Sequence, residues 1–402
     1  MTKIQISIAT VFISLIVIVS CSKSDNTTTP VVVDPYAAIK AVFGTTIAPT
    51  SLENYANQAR PAYLNPNKDN TGTNPITNAK ATLGRVLFYD KNLSIDNSIS
   101  CGSCHKQEFA FSDTAITSKG LAGGFTARHS MRLINSRFAA EIKFFWDERA
   151  ATLEAQTTMP IQDHSEMGFS GQSGRPALNN LLVKLQALNY YNELFKFVYG
   201  DVIVTEARMQ ECLAQFVRSI QSFDSKYDAG RAQVNNDNQN FPNFTAQENQ
   251  GKQLFITAPV FDATGTRVNG GAGCNACHNA PEFDIDPNSR NNGIIGKIAP
   301  AVGIDITVTR APSLRDLVNN NGIQNGALMH TANLATLQNV IGHYGTINIA
   351  PGNTNLDPRL TPGGVGQRLN FNAQEVNALI AFLRTLSGNN VYSDRKWGSP
   401  FN

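Results

Sequence analysis

The sequence predicts a mainly α-helical protein of two domains, with long loops and little β structure. Three observations carry that reading. One short pattern, Cys101-Gly-Ser-Cys104-His105 and Cys274-Asn-Ala-Cys277-His278, occurs once in each half of the 402-residue chain. Helix-start signatures, Thr245-x-x-Glu248 and Asn372 with Glu375, precede apolar residues at helical spacing. Period-2 strand patterns are few, and loops rich in Gly, Asn and Pro fill the remainder. A chain of this length can close two cores.

Taken in order, Lys3 precedes an apolar run from Ile4 to Val19, then Ser20-Cys21. Residues 1–21 are expected to be a signal peptide, since the run is short for a membrane span. Ile18, Val19 and Ser20 before Cys21 resemble a bacterial lipobox, which would make Cys21 the lipidated first residue of the mature protein. An ordinary signal peptide cut nearby, or an uncleaved anchor, is the alternative. Residues 22–50 read as a polar, Thr-rich tether and N-terminal extension. The first domain is expected over 51–234 and closes with a helix from about Glu206 to Phe223. There Cys212 shares an apolar face with Met209, Phe216, Val217 and Ile220, as a small buried residue would. Asn235 to Asn240 marks a surface connection, and 235–402 is the second domain. Its first helix runs from the Thr245 box through Gly251 to Phe255. Its last starts at Asn372, carries the stripe Val376, Leu379, Ile380 and Leu383, and has Gly388 as its expected C-terminal cap. No short internal repeat is read beyond the duplicated motif.

C-x-x-C-H is the attachment pattern of c-type haem. Two thiols add across the haem vinyl groups, and the adjacent imidazole becomes an iron ligand. A split zinc site or a dithiol is the competing reading. Zinc pairs usually sit closer in sequence, and neither alternative requires His after the second Cys both times. We therefore expect two covalent haems c, on Cys101, Cys104 and His105 and on Cys274, Cys277 and His278, in two cytochrome c-like domains packed face to face. The six cysteines are then accounted for: four hold haem, Cys21 holds lipid, and Cys212 is buried. Export agrees, because c-type haems are attached outside the cytoplasm. The net charge of +2 implies no nucleic-acid partner, and membrane contact is expected only through the lipid anchor.

The chain resembles the bacterial dihaem cytochrome c peroxidases and their MauG-like relatives from about Leu83 to Leu386. The likeness rests on Leu83-Gly-Arg-Val-Leu-Phe-Tyr-Asp90, on Ser100 to His105 with Ala110-Phe-Ser-Asp113, and on Phe144-Phe-Trp-Asp-Glu-Arg-Ala150. It continues through Thr152-Leu-Glu-Ala-Gln156, Pro160, Glu166-Met-Gly168, Ala311-Pro-Ser-Leu-Arg315 and His330 to Leu337. The resemblance implies a peroxidatic N-terminal haem, an electron-storing C-terminal haem, and Trp146 between them. It makes Glu166 the acid–base group, Gln156 a hydrogen-bonding partner of peroxide, and Pro160 a shaper of the pocket. Leu121 stands where many members carry a removable distal His, so the first iron is expected to be open; His129 is the challenger. On the second haem, Tyr344 matches the family's sixth-ligand position, with His343 and Met329 as rivals. The family also tends to hold a calcium ion between its domains. Here Asn325 and the backbone near Ala327 could contribute to it, while His129 replaces the usual Asn. Glu148 stands where the family usually has Gly.

Three functions follow. One is reduction of hydrogen peroxide with electrons from a small exported cytochrome c or cupredoxin. Another is MauG-like oxidation of a residue on a partner protein. The third is electron transfer without peroxide chemistry. The sequence leaves the oligomeric state, a homodimer included, open.

Overall fold

Helices are the main regular structure of the described residues, which are Met1, 34–298 and 302–401 of this computed structural model, and loops join them. Cys21, the apolar run before it and residues 22–33 lie outside them, whereas the rest of the expected extension is described and contains the first helix. The helices are α1 (Ala37–Phe43), α2 (Asn78–Tyr89), α3 (Cys101–Cys104), α4 (Leu153–Gln162), α5 (Leu178–Gln186) and α6 (Asn189–Tyr199). After them come α7 (Glu206–Ser219), α8 (Lys226–Arg231), α9 (Ala246–Ile256), α10 (Leu337–Gly345) and α11 (Ala373–Arg384). Four short strands form two antiparallel pairs, β1 (Pro259–Phe261) with β2 (Arg267–Gly270) and β3 (His278–Asn279) with β4 (Asp284–Ile285). The mainly α reading with little sheet therefore holds.

Local sequence explains the helix starts. Thr245 Oγ1 accepts from Glu248 N at 3.2 Å while Thr245 N donates to Glu248 Oε2 at 2.6 Å. Asn372 and Glu375 form the same reciprocal box at 2.9 and 3.0 Å. Such a box satisfies two N–H groups that a helix start leaves bare.

The helix ends differ from expectation. α7 stops at Ser219, four residues before Phe223, because Asn135 takes the chain away. Its backbone N donates to Ile220 O, and its side chain pairs with both backbone groups of Ser222. Gly388 is not the cap of α11, which ends at Arg384 with Thr385 as cap. Gly388 N instead donates to Asp316 Oδ1 at 2.8 Å, and a Cβ there would strike the Asp224 carboxylate.

Buried apolar side chains gather into two clusters. One runs from Ile39 to Ile220 and includes the fully buried Cys212; the other runs from Tyr227 to Leu386. Each has a close helix crossing of the same design. In the first, Gly84 of α2 lies against the Cys212 carbonyl and Phe216 of α7. In the second, Gly251 of α9 lies against the Ala378 carbonyl and Phe382 of α11. Any Cβ at either glycine would run into that carbonyl, so the crossing requires Gly. The two glycines open a repeat, Gly84-Arg-Val-Leu-Phe88 and Gly251-Lys-Gln-Leu-Phe255. This corrects the reading that only the cysteine motif recurs.

The chain ends fold back onto the first cluster. α1 presents Ile39 and Phe43 to it, and Glu193 of α6 accepts from Ala38 N and Ile39 N at 3.0 and 2.9 Å. At the other end Val391 and Trp397 join the same cluster. Tyr55 Oη donates to Lys396 O, Tyr89 Oη to Trp397 O and Arg85 Nε to Gly398 O, at 2.6, 2.6 and 2.7 Å.

Candidate active site

The first motif forms α3, a single helical turn. Ser100 starts it, its N donating to Ser103 Oγ at 3.0 Å. His105 follows and is fixed by a tight turn in which Ala110 and Phe111 both adopt left-handed backbone, φ 56° and 58°. That turn aims the Phe111 carbonyl at His105 Nδ1, 3.1 Å away. Burial pushes the imidazole below its usual pKa, so the ring is neutral; with its proton on Nδ1, Nε2 keeps a lone pair for a metal.

Glu166 sits beside this motif. Asp163 Oδ1 accepts from Ser165 N and Glu166 N at 2.8 and 3.0 Å, and the buried Met167 and Phe169 anchor the turn. Burial, then the neighbouring Asp163 charge, pushes the Glu166 carboxyl up to about 7. Its charge reaches both thiols of the motif and helps burial push Cys101 to about 12 and Cys104 to about 11. Leu121 packs over the same turn: its N donates to Ser165 O at 2.9 Å and its side chain lies against Gly168. Gln156 and Pro160 are one turn apart on α4, which leads through Asp163 into the Glu166 turn. Pro160 has no N–H to give the Gln156 carbonyl.

The second motif is built otherwise. Cys274–Ala276 is a 3₁₀ turn, and His278 enters β3. Burial, then Arg359, pushes His278 down to about 4, and its Nδ1 has no partner among the described residues. Cys274, Cys277 and His278 line a cavity of about 680 Å³ walled by Phe255 of α9, Ile341 of α10 and Leu383 of α11. Tyr344 and Met329 line it as well. Asn292 links them, its Nδ2 donating to Tyr344 Oη at 3.2 Å and to Met329 Sδ at 3.3 Å. Burial pushes the Tyr344 phenol up. His343 points elsewhere, with Nε2 2.9 Å from Asn292 O. Of the three ligand candidates, Tyr344 and Met329 thus reach the cavity, and sequence reasoning missed Asn292. Two thiols, a neutral imidazole and a mainly apolar cavity of this size fit a haem c.

Trp146 also lines the cavity. Its Nε1 donates to His129 O at 2.8 Å, and its carbonyl accepts from Thr309 N and Arg310 N at 3.0 and 3.1 Å. Its ring lies 6.1 Å from that of His330. Arg128 braces the segment through Asp147 at 2.6 Å and Asp305 at 2.7 Å. Glu148 has φ 54°, the left-handed region that suits the usual Gly, and accepts from Thr309 Oγ1 at 2.9 Å.

The donors around Asn325 do not fit the expected calcium ion. Asn325 Nδ2 donates to Asp316 O and Tyr392 Oη, both at 2.8 Å. His129, in the usual Asn position, has Nδ1 2.9 Å from Ala115 O and 3.2 Å from Ile116 O. Calcium asks for six to eight oxygens, whereas the cations that act on Asp316 are the guanidinium groups of Arg315 and Arg132.

Residues 78–236 match the family described as di-haem cytochrome c peroxidase. A methylamine utilization protein MauG of Methylophilus methylotrophus is 30% identical over 322 residues, 79% of this chain and 84% of that protein. A cytochrome c551 peroxidase of Nitrosomonas europaea is 26% identical over 77% of this chain and 80% of that protein. Among solved structures, a MauG-like protein associated with microbial copper homeostasis has 26% identity and a TM-score of 0.63, covering 86% of this chain and 99% of that one. The diheme peroxidase BthA of Burkholderia thailandensis shares the fold, with a TM-score of 0.55 at 19% identity over 88% of this chain and 98% of its own.

Proposed function

From the di-haem cytochrome c peroxidase family, to which this chain belongs, we propose a peroxidase that converts hydrogen peroxide, two electrons and two protons into two waters. Members of the family are oxidoreductases acting on peroxide, with two haems c. The haem at His105 would supply peroxide cleavage, and the one at His278 the second reducing equivalent.

The observation that carries the proposal is the Glu166 carboxyl, pushed up to about 7 beside Cys101 and Cys104, under a Leu121 that offers no ligand atom. A carboxyl poised near neutrality takes a proton from one oxygen of peroxide and returns it to the other. Gln156 orients the peroxide by hydrogen bonds and does not titrate. Pro160 shapes the wall, and Trp146 links the two halves as the electron route. The donor is a small cytochrome c or cupredoxin meeting the C-terminal half. The domains are taken as 51–234 and 235–402; the two apolar clusters follow that division except that Ile39, Phe43, Ile47, Val391 and Trp397 pack with the first and Tyr227 with the second. The protein is exported and held by lipid on Cys21. Calcium has no part in the proposal.

Stopped-flow mixing with hydrogen peroxide tests this reading. A fast spectral change at a high-spin first haem is expected. Two low-spin haems without such a change would leave an electron carrier. One observation favours oxidation of a partner protein instead: Tyr344 reaches the cavity, and a phenolate ligand lowers the potential and suits a shared oxidised state.

A further inference from the structure

Besides His278 Nδ1, three buried nitrogens on residues lining the His278 cavity have no hydrogen-bond partner among the described residues: His129 Nε2, Arg132 Nε and His330 Nδ1. Their residues are 5%, 7% and 2% exposed. The imidazoles are tied at their far nitrogens, His129 Nδ1 to Ala115 O at 2.9 Å and His330 Nε2 to Gly296 O at 3.1 Å. With the ring proton spent there, each inner nitrogen is an acceptor. Arg132 alone brings charge. Asp316 and Tyr392 act on it through charge without a hydrogen bond.

A guanidinium withdrawn from water, with a carboxylate nearby but no hydrogen-bonded counterion, is left strongly under-compensated. The other arginines of this cavity do not share the problem. Arg359 pairs with Asp286 and Asp357 at 2.8 and 2.6 Å, Arg310 donates to the carbonyls of Glu141 and Lys143, and Arg290 is exposed. The cavity is walled mainly by apolar side chains, and its occupant is fixed by Cys274 and Cys277. Such an occupant brings two carboxylates of its own. We infer that Arg132 is the counterion of a propionate carboxylate of the haem on Cys274 and Cys277, with the imidazoles of His129 and His330 facing the water that completes its hydrogen bonds. This rests on the two-haem reading.

The position gives the contact a consequence. The Met131 carbonyl next to it acts on His105, while Arg132, like Trp146, lines the cavity of His278. A fixed positive charge between the two sites favours the reduced state of the nearer iron. It also disfavours leaving positive charge on the indole.

The test is spectroelectrochemical titration of the holoprotein as wild type, Arg132→Met and Arg132→Lys, with resonance Raman spectra of the propionate bending bands. Arg132→Met is expected to lower the midpoint of the C-terminal haem more than that of the N-terminal one. Loss of a hydrogen bond to a charged group corresponds to roughly tenfold or more in the reduction equilibrium against a fixed reductant. The bending band should shift with it. Arg132→Lys keeps the charge, so it should retain most of the midpoint and lose the two-pronged geometry that the band reports. Unchanged band and midpoint in both variants would overturn the inference and leave a water-filled corner. A pyridine haemochrome assay finding fewer than two haems in the wild type would instead overturn the two-haem reading, and this inference with it.

Discussion

His105 and His278 follow the same cysteine spacing, yet their imidazoles are held differently. His105 Nδ1 meets the Phe111 carbonyl through two consecutive left-handed residues, whereas His278 Nδ1 meets nothing among the described residues. A hydrogen bond at Nδ1 makes the opposite nitrogen a stronger donor to iron. The facing sides differ in the same sense. Beside the first motif stand a carboxyl near neutrality and a leucine; opposite the second stand a phenol and a thioether joined by Asn292. One pattern thus stands in two settings, the first beside a titratable carboxyl and the second in a cavity that a phenol and a thioether also line.

Removing the proposed acid–base group is the strongest way to break this contrast. Glu166→Gln should slow reaction with peroxide by about 10²–10⁴-fold, measured by stopped flow. The wild-type rate should rise with pH through about 7, because the burial-raised carboxyl is protonated below that value and becomes a base above it; the variant should lose that limb. A rate still rising through 7 in Glu166→Gln would assign the titration to another group.

The helix crossings test whether both halves obey one packing rule. Gly84→Ala and Gly251→Ala each force a Cβ into a backbone carbonyl and should each cost about 1–3 kcal/mol in chemical denaturation of the holoprotein. A loss in only one would show that the other crossing relaxes. Trp146→Phe should leave the first reaction with peroxide intact and cut steady-state turnover with a reduced donor by about tenfold, near 1.4 kcal/mol of barrier. Equal turnover would remove the indole from the route. The smallest effect is expected for Asn292→Ala, which removes one donor from Tyr344 and Met329, worth about 1 kcal/mol. It should appear as a shift in the charge-transfer bands of the C-terminal haem with the N-terminal bands unchanged. Tyr344→Phe beside it shows whether Met329 takes the vacated place.

Local signals were legible in the chain. The capping boxes at Thr245 and Asn372 involve residues three apart, and the cysteine motifs are contiguous, so each carries its own chemistry. Signals that depend on distant partners were not. Gly388 has the composition of a cap, but its role is set by Asp316 and Asp224. The end of α7 is set by Asn135, far upstream. Arg132 reads as an ordinary basic residue until burial removes its solvent, and Asn292 in a polar loop gives no hint of its two acceptors. The Gly84 and Gly251 repeat was readable, Gly, a basic residue and then Leu-Phe at the same spacing, but short enough to pass for coincidence until the helices crossed.

The C-terminal strap carries a consequence for biogenesis. Trp397 and Val391 belong to the core that surrounds the first motif, and the hydrogen bonds of Tyr55, Tyr89 and Arg85 end on backbone carbonyls of that strap. On the proposed export route, threaded N-terminus first, Cys101 and Cys104 arrive before those residues, so the first core closes only when the strap follows.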